Sequence, residues 1–180
     1  TTKGRTEHGG WVRTLAPDGT VADATEDAYD HACVLLALAH ARMVGNSDAE
    51  QLGRETFDFL DAEMEDRNMR GFLETSHGEG LRRSNPHMHM LEAFLAWYAA
   101  TGDRQYLRRS ARIIDLFRSH LFDADTWTIG EYFDDDWRRA PGEKGEWTEP
   151  GHHFEWAALL VDFAGKSGQK DLVGFARKLY

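Results

Sequence analysis

Apolar residues recur along this chain in two alternating kinds of segment. Segments of the first kind are apolar nearly all round. One runs from about Thr25 to Val44, with Tyr29, Cys33, Leu36 and His40 on one face and a second apolar face behind them. Two more are Asn85-Pro-His-Met-His-Met-Leu-Glu-Ala-Phe-Leu and Glu149-Pro-Gly-His-His-Phe-Glu-Trp-Ala-Ala-Leu-Leu. Segments of the second kind are two-faced at helical spacing. Leu52, Phe59, Leu60 and Met64 mark one; Tyr106, Leu107, Ile113, Ile114 and Phe117 mark another; a third runs from about Gln169 to the end. Glycine-bearing turns at Gly45-Asn-Ser47, Gly102-Asp103 and Gly168-Gln169 join each first-kind segment to its successor.

The boundaries carry helix signals. Ser47-Asp-Ala-Glu50 has the pattern of a capping box, Asn85 reads as an N-cap ahead of Pro86, Asp103 as another, and Pro150 suits a first helical turn. Six helices in three hairpins are therefore expected. Helices apolar on all sides belong to an inner layer, and amphipathic ones cover it. The connections back to the inner layer, residues 66–85 and 122–149, are long and rich in Gly, Asp and aromatics. Trp127-Thr-Ile-Gly-Glu-Tyr-Phe alternates enough to predict a short hairpin there, and loops of such length in a compact domain are usually functional. An open solenoid is the alternative, but its repeats run shorter and lack long loops on one side. The pattern predicts an all-α fold, with residues 1–180 forming one domain that supplies part of a closed α/α barrel.

A chain of 180 residues with 41% hydrophobic and 12% aromatic residues can bury a core, and its net charge of −10 argues against nucleic-acid and anionic-membrane partners. Arg108, Arg109 and Arg112 sit at helical spacing and read as a solvated face. Cys33 is the single cysteine, so no internal disulfide can form, which favours a reducing, cytoplasmic setting. No apolar run approaches the ~20 residues needed to span a bilayer. The chain starts at Thr1 and ends at Tyr180 inside an amphipathic pattern, which reads as a fragment or truncation.

Histidines open all three first-kind segments. His31, His89 and His152 lie 58 and 63 residues apart, so a packed set of hairpins would gather imidazoles on one rim. His152 and Glu155 share a helical face, as do His89 and Glu92. The helix dipole favours a neutral imidazole there and a carboxylate pulls the other way, a balance that suits a proton-transfer base. The plainer alternative is a capping histidine bonded to its own turn. Metal binding by His87, His89, His152 and His153 is a further alternative, but residues one or two apart point to different helix faces and no zinc motif supports it. Trp11, Trp127, Tyr132, Phe133, Trp137 and Trp147 fall in loops, where rings either anchor the loop or stack on sugars. Carboxylates at Glu131 with Asp134–Asp136, or Glu146 with Glu149, have the composition an inverting glycosidase would need.

Gly9-Gly-Trp with Asp18-Gly19, Tyr29-Asp-His-Ala and the two long histidine motifs quoted above resemble the N-acylglucosamine 2-epimerase superfamily, which includes mannose isomerases. The resemblance extends over nearly the whole chain. It implies an (α/α)6 barrel, of which this chain supplies about half, with long loops and short β-hairpins on one rim. It also implies proton transfer at C2 of an open-chain sugar through a cis-enediol. Proton return to C1 gives the ketose, and return to the other face of C2 gives the epimer. By motif, His152 resembles a catalytic histidine oriented by Glu155, while Tyr29, Asn85, His89 and Trp147 resemble substrate-binding residues. The expected reaction interconverts a mannose-type aldose and its ketose. The alternatives are an N-acylglucosamine or cellobiose-type 2-epimerase and, from another class, an α/α-barrel glycoside hydrolase. A non-catalytic helical-repeat domain gives no reason for histidines at the helix starts. The chemistry implied needs neither metal nor redox cofactor, its partner is a monosaccharide, and a homodimer is allowed for. A second catalytic histidine and a carbonyl-polarising arginine are expected outside the chain, so these 180 residues alone are expected to be inactive.

Overall fold

The structure, a computed structural model, describes residues 3–66, 71–78 and 80–180. Parts of the expected 66–85 loop, residues 67–70 and 79, lie outside the described residues.

Three helical hairpins form, as the alternation of segments predicts. Helix α1 (Ala28–Met43) is followed by α2 (Ala49–Phe59), α3 (Ser84–Thr101) by α4 (Arg104–Leu116), and α5 (Pro150–Ser167) by α6 (Leu172–Leu179). Helices α2 and α4 each end in one wider π-type turn, Leu60–Met64 and Phe117–Leu121. Helix α3 packs on α1 to one side and α5 to the other, and each even-numbered helix packs on the one before it. The chain therefore makes an inner row, α1–α3–α5, and an outer row, α2–α4–α6. Among the described residues no helix is long and apolar enough to cross a membrane.

Burial follows position in that row. In α3 the buried set runs around the whole helix, from Pro86, His87 and Met88 through Phe94 to Trp97, because neighbours cover it on both sides. Helix α5 buries only Trp156, Leu160, Phe163 and Ala164, and its Phe154 and Val161 stay exposed. Cys33 on α1, expected within an apolar run, is likewise exposed. Trp97 shows how tightly the rows fit. Its ring is fully buried and its Nε1–H donates to the Leu35 carbonyl of α1 at 2.8 Å. A Cβ on Gly53 of α2 would lie 2.2 Å from that ring. A mid-helix glycine normally costs about 1 kcal/mol relative to alanine; here it makes the room that the indole occupies.

Several boundaries differ from the sequence expectation. Helix α1 starts at Ala28, not Thr25, because the Asp27 carboxylate caps it by accepting the Tyr29 N–H at 2.8 Å. The capping box at Ser47 does not form: Asp48 is the N-cap, and the Ser47 hydroxyl donates to the Asp48 carboxylate instead. Asn85 lies inside the first turn of α3, with Arg83 at the N-cap. Asp103 does cap α4, accepting the Gln105 N–H, and Pro150 does open α5. Helix α6 begins at Leu172 rather than near Gln169. Arg109, expected on a solvated face, forms a two-pronged ion pair with Asp61 and covers the rings of Phe57 and Phe94, tying α4 to the turn that ends α2.

Among the described residues six short strands pair, all antiparallel: β1 (Thr14–Leu15) with β2 (Val21–Asp23), β3 (Arg82–Arg83) with β6 (Tyr132–Phe133), and β4 (Phe122–Asp123) with β5 (Thr128–Ile129). The hairpin expected over 127–133 is thus two strands with different partners. Its second half leaves its own loop and pairs with the residues that lead into α3, drawing the two long loops together over the starts of the inner helices.

Candidate functional site at the starts of the inner helices

The three inner helices share one device. Their N-caps are Asp27, Arg83 and Glu149, and a histidine follows four residues after each: His31, His87 and His153. His31 donates from Nδ1 to the Asp27 carbonyl at 2.7 Å, which leaves Nε2 as an acceptor for the Trp11 N–H at 3.0 Å. His87 repeats both bonds, with the Arg83 carbonyl at 2.9 Å and the Phe72 N–H at 2.9 Å. His153 accepts the Ile129 N–H at 3.0 Å. Each imidazole therefore fastens the segment that precedes its helix: His31 the N-terminal stretch, His87 and His153 the two long loops. Burial lowers the pKa of His31 and pushes that of His87 down to about 4, so both remain neutral acceptors near pH 7.

That arrangement divides the histidine repeat. His31 proves to be the capping histidine of the plainer alternative; His87 repeats both of its bonds, and His153 matches it at Nε2. Because those two accept backbone N–H groups, the four-imidazole metal reading loses half of its ligands. Among the described residues no group of three or more His, Cys, Asp or Glu is arranged to hold a metal ion.

Of those four imidazoles, His89 and His152 pair with carboxylates instead. His89 pairs through Nδ1 with the Glu92 carboxylate at 3.1 Å, as their spacing implies, and stands edge-on to the Tyr29 ring at 5.1 Å. His152 departs from its expected pairing. Its Nδ1–H donates to Glu131 Oε1 at 3.0 Å, and its Nε2 lies 3.5 Å from the Glu149 carboxylate. The orienting carboxylate is therefore Glu131, not Glu155, which is exposed and makes no hydrogen bond or ion pair among the described residues. The reason lies in the loop. With Ile129 fastened to His153, Glu131 two residues on meets His152 one residue back. Glu155 instead lies within electrostatic reach of Tyr29, whose hydroxyl is held above its ordinary pKa first by the Cys33 thiol and then by burial.

A cleft of about 600 Å³ opens beside this cluster. Tyr29 and Asn85 line it; His89, Trp147, His152 and Glu155 do not, but His89 touches Tyr29, and Trp147 stands edge-on to the lining residue Tyr132 at 5.6 Å. Asn85 Oδ1 is buried without a hydrogen-bond partner among the described residues. Such an acceptor is costly unless something donates to it.

Charged residues that sequence reasoning missed, Arg13, Asp27, Asp30, Glu74, Arg83 and Lys144, make up much of the rest of the wall. Arg13 and Arg83 both reach Asp27, at 2.9 and 3.4 Å, and Arg83 also binds Glu74 at 2.5 Å. Burial raises the Glu74 carboxyl against the pull of Arg83, and burial together with the Asp27 charge raises that of Asp30. No local spacing could reveal this group, since its members come from separate stretches of chain. The glycosidase pairing is dispersed as well. Glu131 is bound to His152 and Ser84, while Asp134 Oδ1 closes its own turn by accepting the Asp136 and Arg138 N–H groups.

The family model of N-acylglucosamine 2-epimerase (GlcNAc 2-epimerase) matches residues 2–180. The chain belongs to that family. As a member of the N-acylglucosamine 2-epimerase family it is 39% identical to the mannose-6-phosphate isomerase of Rhizobium meliloti (strain 1021), over 96% of this chain and 46% of that protein. It is 37% identical to the D-mannose isomerase of Thermobifida fusca, over 86% of this chain and 42% of that one. Among solved structures, the cellobiose 2-epimerase of Spirochaeta thermophila DSM 6192 superposes with a TM-score of 0.85 at 26% identity, over 99% of this chain and 49% of that one. The chain spans about half the length of the relatives it matches. Its three hairpins are accordingly about half of the family's (α/α)6 barrel, with the open flanks of α1 and α5 as the edges of that half.

Proposed function

We propose that this chain carries one catalytic histidine and one sugar-gripping wall of an isomerase that interconverts a mannose-type aldose and its ketose. The observation that carries the reading is His152, fixed at Nδ1 by a buried carboxylate so that Nε2 is the nitrogen available to a substrate. In the proposed step Nε2 takes the C2 proton of the open-chain sugar. The C2–H electrons form the C1–C2 double bond and the carbonyl electrons move onto O1, giving a cis-enediolate; a proton passes from O2 to O1, and return of the proton from Nε2 to C1 leaves the carbonyl at C2, which is the ketose. Asn85 Oδ1 accepts a sugar hydroxyl, His89 and Tyr29 bind further hydroxyls, and Trp147, with its ring half-exposed, offers a stacking face. Glu155 belongs to the Tyr29 side of the site. The cleft suits a neutral sugar, because the cations that line it, Arg13, Arg83 and Lys144, are equalled in number by the carboxylates Asp27, Asp30 and Glu74, leaving little net positive charge for a phosphate ester.

The likeness to a cellobiose 2-epimerase supports a second reading, in which the proton returns to the opposite face of C2. Both are tested in a chimera in which this chain replaces the segment it matches in the Thermobifida fusca enzyme, incubated with mannose in D2O and followed by NMR. Ketose carrying solvent deuterium is the expected product, with the 180-residue chain alone as an inactive comparator. A C2 epimer without ketose selects the second reading. His152→Ala is expected to lower the rate by about 10²–10⁴-fold, the usual contribution of a general base; a folded chimera that keeps its rate without this imidazole overturns both.

A further inference from the structure

Glu131 is 4% exposed, and both its oxygens are engaged: Oε1 accepts from His152 Nδ1 at 3.0 Å and Oε2 accepts from the Ser84 hydroxyl at 3.0 Å. Ser84, fully buried, is the first residue of α3 and also donates its backbone N–H to the Glu131 carbonyl at 3.1 Å. The Glu131 N–H in turn donates to the Trp147 carbonyl at 3.3 Å. Main chain on both sides thus immobilises this carboxylate between the start of α3 and the start of α5. The fold buries a carboxylate here although an apolar side chain would cost less, and it aims that carboxylate at one nitrogen of one imidazole.

We propose that Ser84 and Glu131 are positioning residues for His152. They hold it in the Nδ1–H tautomer, with Nε2 unprotonated and turned to the substrate, and they keep a fixed negative charge beside Nδ1 when Nε2 takes up a proton. The competing acceptor is Glu149, 3.5 Å from Nε2 and largely exposed. Without Glu131 it would favour the Nε2–H tautomer, which has no lone pair to offer at that position. In the working direction the balance is simple. The C2–H bond breaks, an N–H bond forms at Nε2, and the resulting imidazolium lies between two carboxylates, one buried and one at the mouth. The proposal rests on the reading of His152 as a proton-transfer base, so its test contains a measurement that does not need turnover.

That measurement is the tautomer of His152, read from long-range ¹H–¹⁵N NMR correlations of the ¹⁵N-labelled chain at alkaline pH. The unaltered chain is expected to show Nδ1–H. Glu131→Leu is expected to move His152 to Nε2–H, while Glu131→Gln, which keeps an acceptor oxygen at Nδ1 but no charge, retains Nδ1–H. Ser84→Ala frees the carboxylate from its second bond and gives a mixed population; it also serves if Glu131→Leu fails to fold. In the chimera, Glu131→Gln is expected to lower kcat about 10–100-fold with KM within about threefold, as loss of a supporting carboxylate does elsewhere. An Nδ1–H signal that survives Glu131→Leu in a folded chain overturns the proposal, whatever the kinetics. A tautomer that moves while kcat stays unchanged in the Glu131 variants, but falls in His152→Ala, overturns the positioning role and leaves the base assignment standing. Retention of activity in His152→Ala sinks the base assignment itself.

Discussion

His87 shows how much one side chain decides. It is fully buried, its Nε2 must be unprotonated to accept the Phe72 N–H, and burial holds its pKa at about 4 against the ordinary 6.5. The unfolded chain binds the proton first as pH falls, so this group's contribution is complete above the unfolded value near 6.5 and is lost as pH drops towards 4. A displacement of this size corresponds to about 3 kcal/mol, and His31, shifted in the same direction, adds to it. Urea midpoints measured from pH 7.5 down to 4 should therefore fall steeply in the unaltered chain. In His87→Gln the unfolding free energy at pH 7.5 should be lower by about 1–3 kcal/mol, the cost of a lost buried bond, with a shallower decline below that pH. Parallel pH curves for the two proteins would show that His87 is not the titrating group. The sequence displayed this histidine plainly; its task was hidden, because the N–H it accepts lies fifteen residues away in a loop.

At the scale of elements, local chemistry and tertiary geometry contributed unequally. The three hairpins, their alternation and their glycine turns were legible because a period of 3.6 needs no knowledge of neighbours. Caps were legible only where the side chain had no better partner. Asp103 accepts the Gln105 N–H as expected, but Ser47 turns to Asp48. Asp103→Ala should accordingly cost about 1 kcal/mol in thermal or urea unfolding, and Ser47→Ala less than about 0.5 kcal/mol; equal costs would contradict the cap assignment. The strand at Tyr132–Phe133 was read as half of a local hairpin because alternation reveals a strand and not its partner. Its pairing with Arg82–Arg83 requires two loops nearly fifty residues apart to meet.

Across the whole molecule, the Arg13–Asp27–Arg83–Glu74 group ties the N-terminal segment, the cap of α1, the loop before α3 and the entry to α3 into one wall. Glu74 is the member most dependent on its partner, being 6% exposed with both oxygens on Arg83. Arg83→Leu should cost about 3–5 kcal/mol because it strands a buried charge, and Arg83→Leu combined with Glu74→Leu should recover much of that loss in a urea-unfolding cycle. An additive double variant would mean that the pair does not act as a unit. By itself the sequence determined the helix count, the two layers, the rim on which polar chemistry gathers and, through its motifs, the family, all of which depend on short-range periodicity or on strings of adjacent residues. Only the tertiary structure decided which histidines accept backbone N–H groups and which pair with carboxylates, and that Glu131 rather than Glu155 holds His152. Those choices depend on where a loop lands after it leaves its helix, and burial and hydrogen-bond partners in the folded chain, not spacing along it, settle that landing.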